Sequence, residues 1–182
     1  YLISAKLSRV RTVAWLPTSV RGHAVLPVLA CEEIVMHPDA TLGDAGHDEA
    51  FIDPDMKRDY ESIANQRRTI PVAVVMGMLD KQAQVAKVET LEGVRYVLGD
   101  ELEALKPKAK SIDTTLKEPG VPGNYSGRDL RVKYGFVSHL ASDRQELATA
   151  LQIDESAMED DPSLGKDWKP VLVRIDGPIR QD

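Results

Sequence analysis

The stretch at residues 21–43 limits the fold of this chain more than any other part of the sequence. It reads RGHAVLPVLACEEIVMHPDATLG, which joins a glycine turn, a helix of small residues, a short apolar strand and a second turn. The apolar run at 12–16 predicts a buried strand before it, and the loop at 17–22 carries proline and glycine. We therefore expect a strand that leads through a sharp elbow into a helix. The elbow residues are Gly22, His23 and Ala24.

This elbow is the first candidate for a functional site. A helix that begins at a sharp turn leaves backbone N–H groups without acceptors inside the helix. Such groups suit the negatively charged oxygen that develops during acyl transfer. We therefore assign the oxyanion position of a possible active site to Gly22, His23 and Ala24.

Composition limits the classes of protein that this chain can belong to. Its 182 residues are 42% hydrophobic, which is enough for one sizeable core. The net charge of -6 argues against nucleic acid as a partner, because phosphate binding needs a basic face. The single cysteine, Cys31, excludes an internal disulfide and is predicted to be a small core residue. No apolar run approaches the roughly 20 residues of a membrane span.

Local signals predict alternating short helices and strands. The best marked helix has Asp53 as its N-cap and Pro54 at its first position. The predicted helices are a tail near residues 2–10, then 24–33 with a start near Leu26, 54–68, 70–79, 100–105, 126–135 and one after Asp143. The predicted strands are 12–16, 34–36, 41–43, 85–89, 94–98 and 136–137, with an extended piece late in the polar stretch 106–118.

The last part of the chain is predicted to be separate from the main domain. Residues 154–169 are rich in Asp, Glu and Ser and are expected to form an acidic linker. The apolar run VLVRI within 170–182 predicts a strand that either closes the sheet of the first domain or opens a second, similar domain. The first residue is not Met, so we expect a piece of a longer protein whose targeting sequence is missing.

The order strand, elbow, then LACEEIVMHPDATLG resembles the ClpP/crotonase superfamily. The resemblance is closest to the NfeD-type membrane-bound ClpP-class serine proteases and their relative, signal peptide peptidase A. It extends more weakly to residue 153. It implies an α/β fold of stacked ββα units over residues 1–153, truncated at the N-terminus. It also implies a homo-oligomer, a peptide or protein substrate, a place in the cell envelope, membrane association through parts absent from this chain, and neither cofactor nor metal.

The resemblance also implies that the peptidase chemistry is lost. The family's nucleophilic serine falls on Gly22, and its basic lysine falls within 49–54, where there is no lysine. Lys57 is the nearest. A Ser-Lys dyad needs both groups in hydrogen-bond reach. We therefore expect a degenerate serine-peptidase-like domain that serves in assembly or peptide binding within a larger envelope protein.

One alternative is an envelope-associated scaffold with no small-molecule site, and three further alternatives with a chemical site remain open from the sequence. The first is an active serine hydrolase in which Ser19 and His23 form a shifted pair beside the elbow, with Lys57 as a further catalytic candidate. The second is acyl transfer of the crotonase type at the same elbow. The third is a metal site, for which the sequence offers a group of side chains but no known ligand spacing. Those side chains are His37, Asp39, Asp44, His47, Asp48 and Glu49.

Overall fold

The computed structural model describes Ile3 and residues 9–158, and these form a mixed α/β protein. The strands are β1 (Val13–Leu16), β2 (Glu33–Met36), β3 (Thr41–Gly43), β4 (Val85–Thr90), β5 (Gly93–Leu98), β6 (Ala109–Lys117), β7 (Asn124–Ser126) and β8 (His139–Leu140). The α-helices are α1 (Val25–Leu29), α2 (Pro54–Arg67), α3 (Val72–Leu79), α4 (Gly99–Leu105), α5 (Gly127–Val132) and α6 (Arg144–Leu151). Short 3-10 helices cover Gly22–Ala24, Lys106–Lys108 and Glu155–Ala157.

The strands form three small sheets. β1, β2 and β8 are parallel and lie in that order, so the chain from β1 through α1 to β2 is a βαβ crossover. β3 and β7 pair antiparallel. β5, β4 and β6 form an antiparallel sheet in that order. We call residues 85–117, which comprise this sheet, α4 and the turn Lys106–Lys108, the arm, and the rest of the described chain the body.

The core of the body lies between the parallel sheet and the helices α1, α2 and α3. α2 packs against both α1 and α3 and buries Tyr60 and Ala64. At its last turn the Arg67 guanidinium donates to Ala30 O at 2.7 Å, which joins the end of α2 to the end of α1. The arm has a separate small core of four buried residues, Ala86, Val88, Val97 and Leu102.

The structure confirms several elements that local sequence signals predict. The Asp53 side chain accepts from Met56 N at 2.8 Å, with Pro54 as the first helical residue of α2. The β4–β5 hairpin and α4 lie where the sequence predicts them, and Ser126 caps α5. Asp143 caps α6 by accepting from Glu146 N at 2.8 Å.

Four predicted elements differ in extent or position. The helix predicted at 24–33 ends at Leu29, because the N–H groups of Glu32 and Glu33 both donate to Thr12 O and begin β2. The strand predicted at 136–137 lies at His139–Leu140, where hydrogen bonds to β2 place it. α5 ends at Val132, short of the predicted 135, and the extended piece in 106–118 is the nine-residue β6.

Some predictions fall outside the described residues. The helix tail near residues 2–10 is described only at its end and at Ile3. Most of the linker at 154–169 and the whole strand within 170–182 also lie outside.

Candidate functional site

The elbow is held by its main chain. Gly22 has φ 64°, a left-handed conformation that side chains disfavour, and its N–H donates to Asp44 O at 3.0 Å. Asp44 N in turn donates to Gly123 O at 2.8 Å. A Cβ added at Gly22 would lie 3.6 Å from Asp48 Oδ2. Gly22 therefore lies in a backbone turn with a carboxylate nearby.

His23 joins the elbow to two other parts of the body. Its Nε2 lies 2.9 Å from Glu49 Oε1, and its Nδ1 lies 3.2 Å from Tyr60 Oη. An ionised carboxylate only accepts hydrogen bonds, so it places the imidazole proton on Nε2. Nδ1 of the neutral ring then accepts from the Tyr60 hydroxyl. Glu49 orients the histidine in the way that a carboxylate orients a catalytic base.

The hydroxyl that faces His23 is out of reach of a substrate. Tyr60 is 1% exposed, and burial raises the pKa of Tyr60 to about 12. The phenol therefore stays protonated at neutral pH and does not serve as a base for His23. We interpret the three side chains as a link between α2, the elbow and the loop after β3, in which Tyr60 is buried while His23 and Glu49 are partly exposed.

Ser19, the alternative nucleophile, is bound to the backbone. Its Oγ accepts from Thr41 N at 3.0 Å, which connects the loop after β1 to β3. The hydrogen bonds found among residues 9–158 include none between Ser19 and His23. The structure thus brings His23 to Glu49 and Tyr60 but does not bring it to Ser19.

Lys57 forms an ion pair. Its Nζ donates to Asp80 Oδ2 at 3.0 Å, and Gln82 N donates to the other oxygen of Asp80 at 2.9 Å. Burial alone would raise the pKa of Asp80, but the hydrogen bonds from Gln82 N and Lys57 outweigh it and hold that pKa below its usual range. A lysine that acts as a general base must present a free amine. Lys57 presents an ammonium already bound to a carboxylate.

A groove of about 480 Å³ runs beside these groups. Its polar side chains include the Lys57–Asp80 pair and the His47–Asp44 pair, in which Nδ1 and Oδ2 are 2.7 Å apart. Its apolar side includes Phe51, which is 72% exposed. The remaining lining residues are Gly46, Glu49, Ala50, Ile52, Met78, Leu79, Lys81, Gln82 and Pro122.

One wall of the groove depends on a lysine that the sequence analysis missed. Lys117 is 4% exposed, and its Nζ donates to Lys81 O and Ala83 O, both at 2.5 Å. Burial lowers the pKa of Lys117, which nearby Asp80 opposes. The side chain holds the turn after α3, whose Asp80 and Lys81 line the groove.

The candidate metal ligands are divided between separate contacts. His37 Nδ1 accepts from Asp39 N at 3.2 Å in the turn after β2, and Asp39 also contacts Arg128. His47 pairs with Asp44 within the loop after β3. Within the part of the chain that the structure describes, no group of three or more such side chains converges on a possible metal position.

Tyr60 and Asp80 also escaped the sequence analysis as site residues, and so did the contact of Glu49 with His23. Tyr60 was visible only as an apolar-face residue of α2, and Glu49 only as a candidate metal ligand in an acidic loop. Their partners lie 37 and 26 residues away along the chain, so no local spacing could reveal them.

Comparisons with protein-family models, curated proteins and solved structures find no match to this chain. No helix among the described residues is long and apolar enough to cross a membrane.

Proposed function

We propose that this chain is a serine-peptidase-like domain of the ClpP/crotonase type, closest to the NfeD class, that has lost peptidase catalysis. In this proposal it binds peptide or protein segments and takes part in assembly of a larger envelope protein. The homo-oligomer, the envelope location and the stacked ββα architecture belong to the same proposal.

Connectivity supports the fold part of the proposal. β1, α1 and β2 form a parallel crossover, and β2, β3 and α2 follow one another as a ββα unit. The elbow lies between β1 and α1, where the resemblance requires it.

The proposed loss of catalysis rests on one observation: none of the candidate catalytic side chains has an accessible nucleophile paired with a base. Gly22 offers no hydroxyl, and the Lys57 ammonium is paired with Asp80. The only hydroxyl that hydrogen-bonds His23 in the described structure belongs to buried Tyr60. Nucleophilic catalysis needs an accessible nucleophile within reach of its base.

The groove supports the peptide-binding part. Ligand sites combine apolar surface with a few placed polar groups, and here Phe51 and Ile52 line the same groove as the His47–Asp44 and Lys57–Asp80 pairs. An exposed phenylalanine beside such pairs offers an apolar contact, while the charged groups offer hydrogen bonds to a peptide backbone or side chain.

The first test asks whether the folded protein reacts with a fluorophosphonate probe. We expect no labelling, because no serine among the described residues hydrogen-bonds a histidine or lysine side chain that could activate it. Stoichiometric labelling of wild type that is lost in Ser19→Ala would overturn the proposal and favour the active hydrolase at the elbow.

The second test measures binding of a panel of fluorescent unstructured peptides by anisotropy. We expect Phe51→Ser to weaken binding at least fivefold. Val132 on α5 is also a strongly exposed apolar side chain but lies outside the groove. Val132→Ser should therefore leave binding unchanged. If Phe51→Ser and Val132→Ser bind the peptides equally well, the groove is not the peptide-binding site.

A further inference from the structure

The arm has an unpaired strand edge. Within the described chain, β6 pairs only with β4, so the main-chain groups on its outer side have no strand beside them. Such an edge is a template for the addition of another strand. Five of its nine residues are exposed: Lys110, Ser111, Ile112, Asp113 and Thr115.

A pocket of about 500 Å³ opens where β6 begins. Leu91, Leu105, Pro107 and Ala109 give it apolar walls, and Leu91 at the hairpin turn is 85% exposed. Leu105 and Ala109 pack on the small core of the arm, so the pocket has a fixed apolar base. It is separate from the groove of the body, with which it shares no lining residue.

The charges at this pocket are unbalanced. Two residues of the pocket lining, Arg95 and Glu92, pair with each other, and Lys87–Glu89 and Lys106–Glu103 are further ion pairs of the arm. Lys108 and Lys110 line the pocket, yet neither forms an ion pair with a carboxylate of the described residues. Two cations without a carboxylate partner, beside an apolar pocket, favour a partner that carries negative charge at that point.

We propose that β6 and this pocket bind an extended acidic peptide segment. The peptide adds as a strand along the outer edge of β6, an apolar side chain enters the pocket, and a neighbouring carboxylate meets Lys108 and Lys110. Strand addition supplies affinity through main-chain hydrogen bonds, and the pocket supplies specificity. Asp113 lies further along β6 and would repel a second acidic residue of the peptide. The acidic residues of the peptide should therefore be confined to the end that lies beside Lys108 and Lys110.

This site does not depend on the proposed function of the body, because it uses a different surface. A small amphiphile could use the pocket and the lysines, but it would have no use for the free edge of β6. The combination of edge, pocket and cations therefore favours a peptide.

The test measures anisotropy of a fluorescein-labelled peptide of alternating valine and threonine that ends in leucine and two glutamates. We expect saturable binding to the wild-type chain that weakens with added salt. The double variant Lys108→Gln/Lys110→Gln should bind at least tenfold more weakly. The matched control Arg58→Gln/Arg128→Gln removes the same charge from exposed positions of the body and should bind like wild type.

Three results would overturn the proposal. One is equal binding of a peptide in which lysines replace the glutamates, and another is no binding of the acidic peptide to the folded chain. The third is a dimer in light scattering that Lys108→Gln/Lys110→Gln dissociates, since the edge would then belong to a second copy. Phe51→Ser should leave this binding unchanged, which separates it from the groove of the body.

Discussion

The body and the arm differ in how far their polar groups are paired with one another. Around the groove, the elbow and the loops are closed by backbone contacts and paired side chains, as at Gly22 with Asp44 and Lys57 with Asp80. In the arm, β6 leaves one edge unpaired, and Lys108 and Lys110 have no carboxylate partner among the described residues. In the body the paired groups fix the shape of the groove before a peptide arrives, whereas in the arm the edge of β6 and the two lysines remain available for new hydrogen bonds and ion pairs.

Glycine substitutions should show the largest contrast between the two regions. At Gly43 in the body φ is 148°, and an added Cβ would lie 2.0 Å from Gly123 O, so the backbone must move. We expect Gly43→Ala to cost about 3 kcal/mol or more, or to prevent folding. At Gly93 in the arm φ is 129° but nothing lies within 4 Å, so Gly93→Ala should cost only about 1 kcal/mol.

Urea unfolding followed by circular dichroism measures both changes. Equal losses of unfolding free energy for the two variants would mean that close packing against Gly123 does not distinguish the body from the arm.

Lysine substitutions within β6 should give a smaller difference in stability, between the end of the strand that contacts the body and the end beside the pocket. Lys117→Met leaves the carbonyls of Lys81 and Ala83 without their donor, and we expect a loss of about 2 kcal/mol. Lys110→Met changes an exposed side chain of the same strand and should stay within about 0.5 kcal/mol of wild type. Unfolding midpoints in urea test the pair, and a neutral Lys117→Met would show that its two hydrogen bonds add no net stability.

The smallest expected effect is a dependence on pH. The folded-state pKa of Asp80 lies below its usual range, so the ionised group stabilises the fold above its unfolded pKa of about 3.9. That contribution is lost as the pH falls through the folded-state pKa. Asp80→Asn should therefore be less stable than wild type at about pH 6, and the difference should shrink towards about pH 2.

Asp113 is the counterpart of Asp80 in the arm. Hydrogen bonds from the side chain and backbone of Thr115 lower the pKa of Asp113, so Asp113→Asn should show the same sign. We expect a smaller difference because Asp113 is exposed. Unfolding curves between about pH 2 and pH 7 give both profiles, and a gap for Asp80→Asn that widens in acid would contradict the assignment.

Much of the secondary structure could be predicted because its signals are local. Asp53 and Pro54 mark the start of α2 within two residues, and the 85–98 hairpin is marked by its turn. The position of β8 could not be predicted in this way. Its place follows from hydrogen bonds to β2, about a hundred residues earlier in the chain.

The candidate site was predictable only in part, for the same reason. The sequence identifies the elbow and the absence of a hydroxyl at Gly22. It does not reveal that His23 meets Glu49 and Tyr60, or that Lys57 meets Asp80, because tertiary packing makes these contacts. Nor does the mostly polar composition of β6 indicate that Lys117 is buried at its end.

The hydrogen bonds from Gly22 N to Asp44 O and from Asp44 N to Gly123 O involve main-chain atoms only. Contacts of this kind require no particular side chain, so this part of the support of the elbow does not depend on Ser19 or His23, although the left-handed turn itself favours glycine at position 22. A lineage that carries this turn can drift through different residues at the surrounding exposed positions without unfolding. The same property makes the elbow a suitable starting point for laboratory evolution, in which new reactive side chains are introduced while the turn that presents them is retained.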